Sequence, residues 1–300
     1  PQMFMNLFIS NAGLIVIGCG MTLVMITGGI DISVGSVTAL VCMSAAYAME
    51  NKGMSAVAAV VISLLIGTLF GIVQGYLVTY LEIQPFIVTL AGMFFGRGLT
   101  AVISTDMIAI QNKTFLKWAN YRINLPFGTY TRRGIFIPAY IYPTVIIALA
   151  VVILITIMLK FTKFGRSLYA IGGNQQSAVM MGLNVKRTKM KAYVLDGFLA
   201  GLGGFLFCLN SCAGFVEQAK GLEMDAIASA VIGGTLLSGG VGTVIGTLFG
   251  VLINGTISSL ITTQGTLSSW WVRITLSALL CFFIVLQAVI AAVKRKKKKK

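Results

Sequence analysis

Apolar residues in this 300-residue chain neither alternate nor keep to one helical stripe. They fall in runs of about 20, separated by short polar stretches. At ~1.5 Å per residue, a helix of that length matches the ~30 Å hydrocarbon core of a bilayer. The runs predict spans near 5–26, 33–49, 54–80, 86–104, 135–159, 192–215, 241–262 and 270–293, with a shorter apolar stretch near 225–237. Eight spans result, and short or re-entrant segments would raise the total toward ten. Glu50-Asn51-Lys52-Gly53 reads as a polar turn, and Pro85 disfavours helix at Gln84. Pro138 and Pro143 lie near the start of the 135–159 run, where proline is tolerated. The long polar stretch Ser104 to Gly134 carries Trp118, Tyr121 and Tyr130, which suits an interfacial loop or a short surface helix.

One stretch breaks the apolar pattern from within. Gly28-Gly29-Ile30-Asp31-Ile32-Ser33-Val34-Gly35-Ser36-Val37 holds a carboxylate, two hydroxyls and three glycines between two spans. Each glycine weakens a helix by about 1 kcal/mol relative to Ala. A carboxylate at membrane depth costs about 2.5–3.5 kcal/mol unless it faces protein or water. The stretch therefore predicts an interrupted helix. A similar string follows later: Gly233-Gly234-Thr235-Leu236-Leu237-Ser238-Gly239-Gly240-Val241-Gly242-Thr243-Val244, with two extra residues before its Val-Gly. A second echo pairs Gly67-Thr68-Leu69-Phe70-Gly71 with Gly246-Thr247-Leu248-Phe249-Gly250. Two echoes in the same order suggest a duplicated membrane unit with the path between its halves, the first about 1–135 and the second about 136–293. Chance recurrence among 34 glycines is the plain alternative. Gly67, Gly71 and Gly75 also form a small-xxx-small series that lets another helix approach closely.

Composition confirms the class. Hydrophobic residues make up 57% of the chain and charged residues 10%, against roughly 25% charged in a soluble domain. The mean hydropathy is +0.92. The runs are too long for barrel strands, so a single polytopic helical domain over 1–300 is expected. The net charge of +15 does not point to nucleic acid. Seven of the 23 basic residues lie in the tail 294–300 and seven more between Lys160 and Lys191. Such clusters read as cytoplasmic anchors at anionic lipid. The stretch 104–134 carries Lys113, Lys117, Arg122, Arg132 and Arg133 with Asp106, one span away, and is expected on the opposite side. Pro1 is not an initiator Met and the apolar pattern is under way by Phe4, so the fragment is expected to have lost its true start.

The candidate chemistry is sparse. Asp31 has two readings: it lines a path at a broken helix together with Gly28, Gly29, Ser33, Gly35 and Ser36, or it caps the half-helix beginning near Ser33. Gly233, Gly234, Ser238 and Gly242 are the matching positions of the second string. Asp196 lies near the basic loop, where a salt bridge to Lys189 or Lys191 competes with a role in transport. In the 160–191 loop, Asn174 is a good N-cap and Gln175 to Met181 suit two helical turns stopped by Gly182. Such a helix exposes Val179, Met180 and Met181, for docking in a partner's groove or for lying on lipid. The five cysteines lack metal-ligand spacing, although Cys208 and Cys212 share a helical face. With no histidine, no phosphate loop and no paired catalytic groups, the chain does not read as an enzyme, and no cofactor or metal site is expected.

Taken together, these strings resemble the ribose-type sugar ABC transporter permeases. Gly28 to Ser36 is similar to a signature of that family. Tyr169-Ala170-Ile171-Gly172-Gly173-Asn174, with the following helix to Gly182, resembles its cytoplasmic coupling segment. Asp225-Ala226-Ile227-Ala228-Ser229 and Val231-Ile232-Gly233-Gly234-Thr235 to Gly246-Thr247 also match. Gly265 to Trp271, with Leu90 to Phe95, is similar to permeases for galactofuranose. The resemblance implies an inverted-repeat permease of the vitamin B12 importer type in a bacterial inner membrane, commonly with about ten helices. It implies a second permease subunit, a separate cytoplasmic ATPase that hydrolyses ATP and docks on Gly173, Asn174, Val179, Met180 and Gly182, and an extracytoplasmic sugar-binding protein. A stand-alone secondary transporter or channel, with Asp31 as an ion-coupling site, is the alternative.

Overall fold

A computed structural model of the chain describes residues 1–130, 136–263 and 269–298. In chain order its elements begin with α1 (Gln2–Ile26), α2 (Val34–Glu50), α3 (Ala56–Thr79) and α4 (Pro85–Ile103). A surface section follows: β1 (Ile108–Ala109), α5 (Lys113–Ala119), β2 (Ile123–Tyr130) and β3 (Phe136–Ile141). Then come α6 (Pro143–Phe161), α7 (Lys163–Gly173), α8 (Gln175–Met180), α9 (Val185–Ser211), β4 (Ala213–Gly214), α10 (Leu222–Ile232), α11 (Val244–Thr263) and α12 (Ser269–Lys298). Among the described residues, seven helices are long and apolar enough to cross a membrane, and α2, at 17 residues, is a shorter apolar helix. The chain is a polytopic membrane protein.

The all-α expectation needs amending at one end of the molecule. β1 pairs antiparallel with β4, and β2 with β3. The span expected from residue 135 starts only at Pro143, which occupies the first helical turn where its missing N–H costs nothing. Ahead of it, Phe136–Ile141 is aromatic and β-branched and finds a strand partner, so it leaves the apolar run. The opposite shift occurs at α9. Its helix begins at Val185, not near 192, because Asn184 accepts the Arg187 N–H and caps it. The basic residues Lys186 to Lys191 are thus the first turns of a long helix, not a loop. Expectations resting on residues 131–135, 264–268 and the end of the tail lie outside the described residues.

Three helices, α1, α2 and α9, form the middle. α1 and α9 are 72% buried along their spans, whereas the other candidate spans are a third buried or less. Such all-round burial explains why neither carries a marked polar face. α9 approaches α3 so closely that backbone meets backbone. A Cβ on Gly67 would strike Gly197 and Gly201, and one on Gly71 would strike Tyr193 and Gly197. The predicted small-xxx-small series therefore meets a matching Gly197-xxx-Gly201 on its neighbour. The second copy of the echo does the same elsewhere: Gly246 and Gly250 of α11 lie against Gly233, just after α10, and Ser229 within it. Without a hydrophobic drive between helices in lipid, this close packing supplies the attraction.

Connectivity fixes the two ends. α1 starts beside β3, where the Tyr140 N–H donates to Gln2 Oε1 at 2.8 Å, and α6 runs from that end to α7 and α8. Glu50, at the end of α2, accepts the Gln111 and Asn112 N–H groups in the surface section. The basic stretches 104–130 and 160–191 thus lie at opposite ends of the bundle, as expected. On the α7–α8 end Lys186 and Glu82 pair at 2.9 Å, and hydrogen bonding to that ammonium holds the Glu82 carboxyl below its usual range. The pair is exposed and contributes little to stability.

Gly197→Leu is expected to cost about 3 kcal/mol or more by forcing α3 and α9 apart. Gly98, with nothing within 4 Å of an added Cβ, should accept Ala with a change within about 0.5 kcal/mol. Thermal unfolding of the two purified variants in detergent checks the contrast.

Candidate functional site

Both glycine-rich strings are breaks between helices. The first runs from Thr27 to Ser33 between α1 and α2. It keeps its backbone paired despite leaving the helix: the Gly28 N–H donates to Met25 and the Gly29 N–H to Val24. The second runs from Gly233 to Thr243 between α10 and α11. Here the Thr235 N–H donates to Ala230 and the Leu236 N–H to Val241. Irregular backbone survives at membrane depth only when its polar groups are satisfied in this way. The two strings share letters but not phase. Val34-Gly35-Ser36 is the first turn of α2, whereas Val241-Gly242 precedes α11, and Thr243 caps it by accepting the Gly246 N–H at 3.1 Å.

The breaks meet each other and the predicted coupling segment at one point. The Gly240 N–H donates to the Ile26 carbonyl at 2.9 Å. Gly239 and Gly240 hold φ of +82° and +76°, which glycine adopts without strain. Gly28 lies against Ser238. A Cβ on Gly172 would strike both Ile26 and Gly240, and one on Gly240 would strike Gly173. The Tyr169 hydroxyl of α7 donates to the Gly242 carbonyl at 2.8 Å, and partial burial raises its phenol above the ordinary value, which keeps that donor protonated. The structure therefore brings Gly28, Ser238, Gly242 and Gly173 together. Gly35, Ser36, Gly233 and Gly234 sit in the adjoining helix ends and turns.

The short helix expected after Asn174 forms as its sequence suggests. Asn174 caps α8 by accepting the Ser177 N–H at 2.9 Å, and Gly182, at φ +78°, ends the turn after it. Ala178 anchors α8 on Ile171 and Val185. Its other side is bare: Val179, Met180 and Met181 are 57%, 88% and 67% exposed.

No side chain accepts from the first-turn amides of α2, so Asp31 does not cap it; Asp31 instead holds Ser33, the residue ahead of the helix. It is buried, and its Oδ1 accepts both the N–H and the hydroxyl of Ser33 at 2.7 Å, at the start of α2. It does not act alone. Gln74 of α3 donates to the Ser33 hydroxyl at 2.8 Å, while both carboxylate oxygens of Asp196 on α9 are buried with no hydrogen-bond partner among the described residues. The expected salt bridge from Asp196 to Lys189 or Lys191 is absent among the described residues. Asp196 is fully buried against Gly20 of α1, and Lys189 donates to Gln175 instead. The helix begins a full two turns earlier than expected, which carries Asp196 into the bundle. Tyr193, also buried, places its hydroxyl at Gly29. Gln74 and Tyr193 were missed in the sequence; the available signal was a polar group on the buried face of an apolar run.

Four cavities among the described residues lie away from the breaks. Two of them flank α10, α11 and α12 at the end remote from α7. All five cysteines are free.

Asp31→Ala should cost about 1–3 kcal/mol through loss of the two hydrogen bonds to Ser33, whereas Asp31→Asn keeps an acceptor and should be milder. Thermal midpoints of the purified variants read this. Loss of transport in Asp31→Asn with stability and assembly intact would assign the carboxylate to the path instead.

Comparison with known proteins agrees with this architecture. Residues 3–284 match the family described as branched-chain amino acid transport system / permease component. The chain is 42% identical over 282 residues to the inner membrane ABC transporter permease protein YjfF of Escherichia coli K12, covering 94% of this chain and 82% of that protein. It is 36% identical to the fructose import permease protein FruG of Bifidobacterium longum, over 96% and 83% of the two chains. It is 40% identical to the ribose import permease protein RbsC of Bacillus subtilis, over 81% and 71%. No solved structure matches the chain significantly. A match over nearly the whole length, on a bundle of this build, is decisive: the chain belongs to this family of ABC transporter permeases, and is a transport subunit and not an enzyme.

Proposed function

We propose that the chain is the membrane subunit of an ATP-driven importer for a monosaccharide, working in a bacterial inner membrane. The names of its fructose and ribose import relatives support the substrate class. The observation that carries the mechanism is the glycine junction, where Gly172 and Gly173 of α7 touch Ile26 and Gly240. A cytoplasmic ATPase docks on the bare side of α8, at Val179 and Met180. Its closure on ATP moves α7 and α8 as one piece, and the junction passes that movement to both breaks. The route switches between two packings of the half-helices that the breaks join. Gly28, Gly29, Asp31, Ser33, Gly35 and Ser36, with Gly233, Gly234, Ser238 and Gly242, form the moving wall.

The finer reading follows the resemblance. Two inverted repeats, about 1–135 and 136–293, build a permease of the vitamin B12 importer type. A second permease subunit, identical or paired, completes the pore, and an extracytoplasmic binding protein delivers the sugar. No cofactor is held by this chain; ATP is hydrolysed in the partner. The stretch 265–268, part of the likeness to galactofuranose permeases, lies outside the described residues, so the particular sugar rests on transport assays.

Met180→Glu is expected to abolish co-purification of the ATPase while leaving the folded yield of the permease unchanged. Normal co-purification would remove the assignment. Uptake into vesicles should require both the ATPase and ATP. Uptake driven by a proton or sodium gradient alone would instead make the chain a stand-alone transporter.

A further inference from the structure

Two cavities of about 450 and 380 Å³ share Asp225, Ser258, Thr262 and Leu276, and so form one groove between α1, α10, α11 and α12. Their size falls in the ~300–1,000 Å³ range of small-molecule sites. The groove lies beside the start of α1 and the start of α10, at the end of the bundle away from the coupling segment.

One side chain there is left waiting for a donor. Asn254 of α11 lines the groove and is only 3% exposed. Its orientation is fixed by a neighbour. The Ser229 hydroxyl donates to the Asp225 carbonyl at 2.7 Å, so its oxygen is free only to accept. Asn254 answers with its amide Nδ2 at 3.0 Å. Its Oδ1 is thereby turned away, buried, with no partner among the described residues. A buried acceptor left without a donor is destabilising. A ligand hydroxyl would recover that cost. Around it stand the Asp225 carboxyl and the Ser258 hydroxyl. Thr262, whose hydroxyl already donates to the Ser258 carbonyl at 2.8 Å, offers only lone pairs. Arg273 supplies donors from α12, and Leu276 an apolar surface.

We infer that this groove is a binding subsite for a neutral polyhydroxylated solute, whose hydroxyls donate to Asn254 Oδ1 and accept from Arg273 while its carbon face rests on Leu276. The mixture of donors and acceptors decides the class. An anion would face the Asp225 carboxyl and two bare acceptors, and a cation would face Arg273. A hydroxyl both donates and accepts, so it suits both. The inference rests on the proposed importer function, and places the first contact of the solute at the outer mouth and not at the glycine breaks.

The test uses the assembled transporter in proteoliposomes, with the exposed Cys281 replaced by Ser and Ser258→Cys introduced. A membrane-impermeant methanethiosulfonate should label Ser258→Cys. The sugar that the wild-type transporter accumulates, among D-ribose, D-fructose and D-galactose, should slow that labelling about ten-fold when present at ten times its Kd. Ser258→Leu, which fills the groove, should reduce uptake about ten-fold or more with an unchanged thermal midpoint. Failure of Ser258→Cys to label, or labelling that a transported sugar leaves unaltered, overturns the subsite while the importer reading stands. Absence of ATP-driven uptake of any sugar by the wild-type transporter would overturn the importer reading and the subsite together.

Discussion

A single backbone hydrogen bond, from the Gly240 N–H to the Ile26 carbonyl, joins the two interrupted segments of this bundle. It forms because three stretches of chain approach with no side chains between them. Gly172 and Gly173 come from α7, Ile26 from the end of α1, and Gly239 and Gly240 from the loop before α11. A contact made by backbone alone transmits movement without the slack of a flexible side chain. Packed interiors change between discrete arrangements and do not deform smoothly. The junction therefore ties the α7–α8 end of the molecule to both places where its helices are discontinuous.

Interrupting a helix inside a bilayer exposes polar backbone to an apolar surround, and the fold answers this locally. Each break turns its first N–H groups back onto the preceding helix; Asp31 holds Ser33 ahead of α2, and Thr243 caps α11. The first break is held further by Gln74 of α3, which donates to the Ser33 hydroxyl. A side chain from α12 serves the second: Gln287 donates to the Val231 carbonyl at 3.0 Å, where α10 ends. Tight glycine contacts between α3 and α9 and between α10 and α11 then hold the helices on either side of the breaks in register.

Much of this was legible in the sequence, and for physical reasons. A membrane span needs an uninterrupted apolar run, so helix number follows from run length. Glycines four apart announced close packing on α3, and Asn174 with Gly182 bounded α8. The misses are equally instructive. Phe136–Ile141 is apolar enough to pass for the start of a span, and only its strand partner, Ile123–Tyr130, removes it. Lys186 to Lys191 looked like a loop because charge was taken as solvent exposure, yet long basic side chains leave a helix end readily. That error hid Asp196, which a helix starting at Val185 carries into the core. Asn254 had no local signal at all; its role depends on Ser229, far away in sequence but adjacent in the fold.

Coupling through the glycine junction is tested most directly by Gly172→Val, introduced into the assembled transporter and measured for ATP hydrolysis and sugar uptake side by side. A side chain there would separate α7 from Ile26 and Gly240 while leaving the bare side of α8 intact. The account predicts a complex that assembles and hydrolyses ATP but accumulates no sugar. Uptake that keeps pace with hydrolysis in this variant would contradict it.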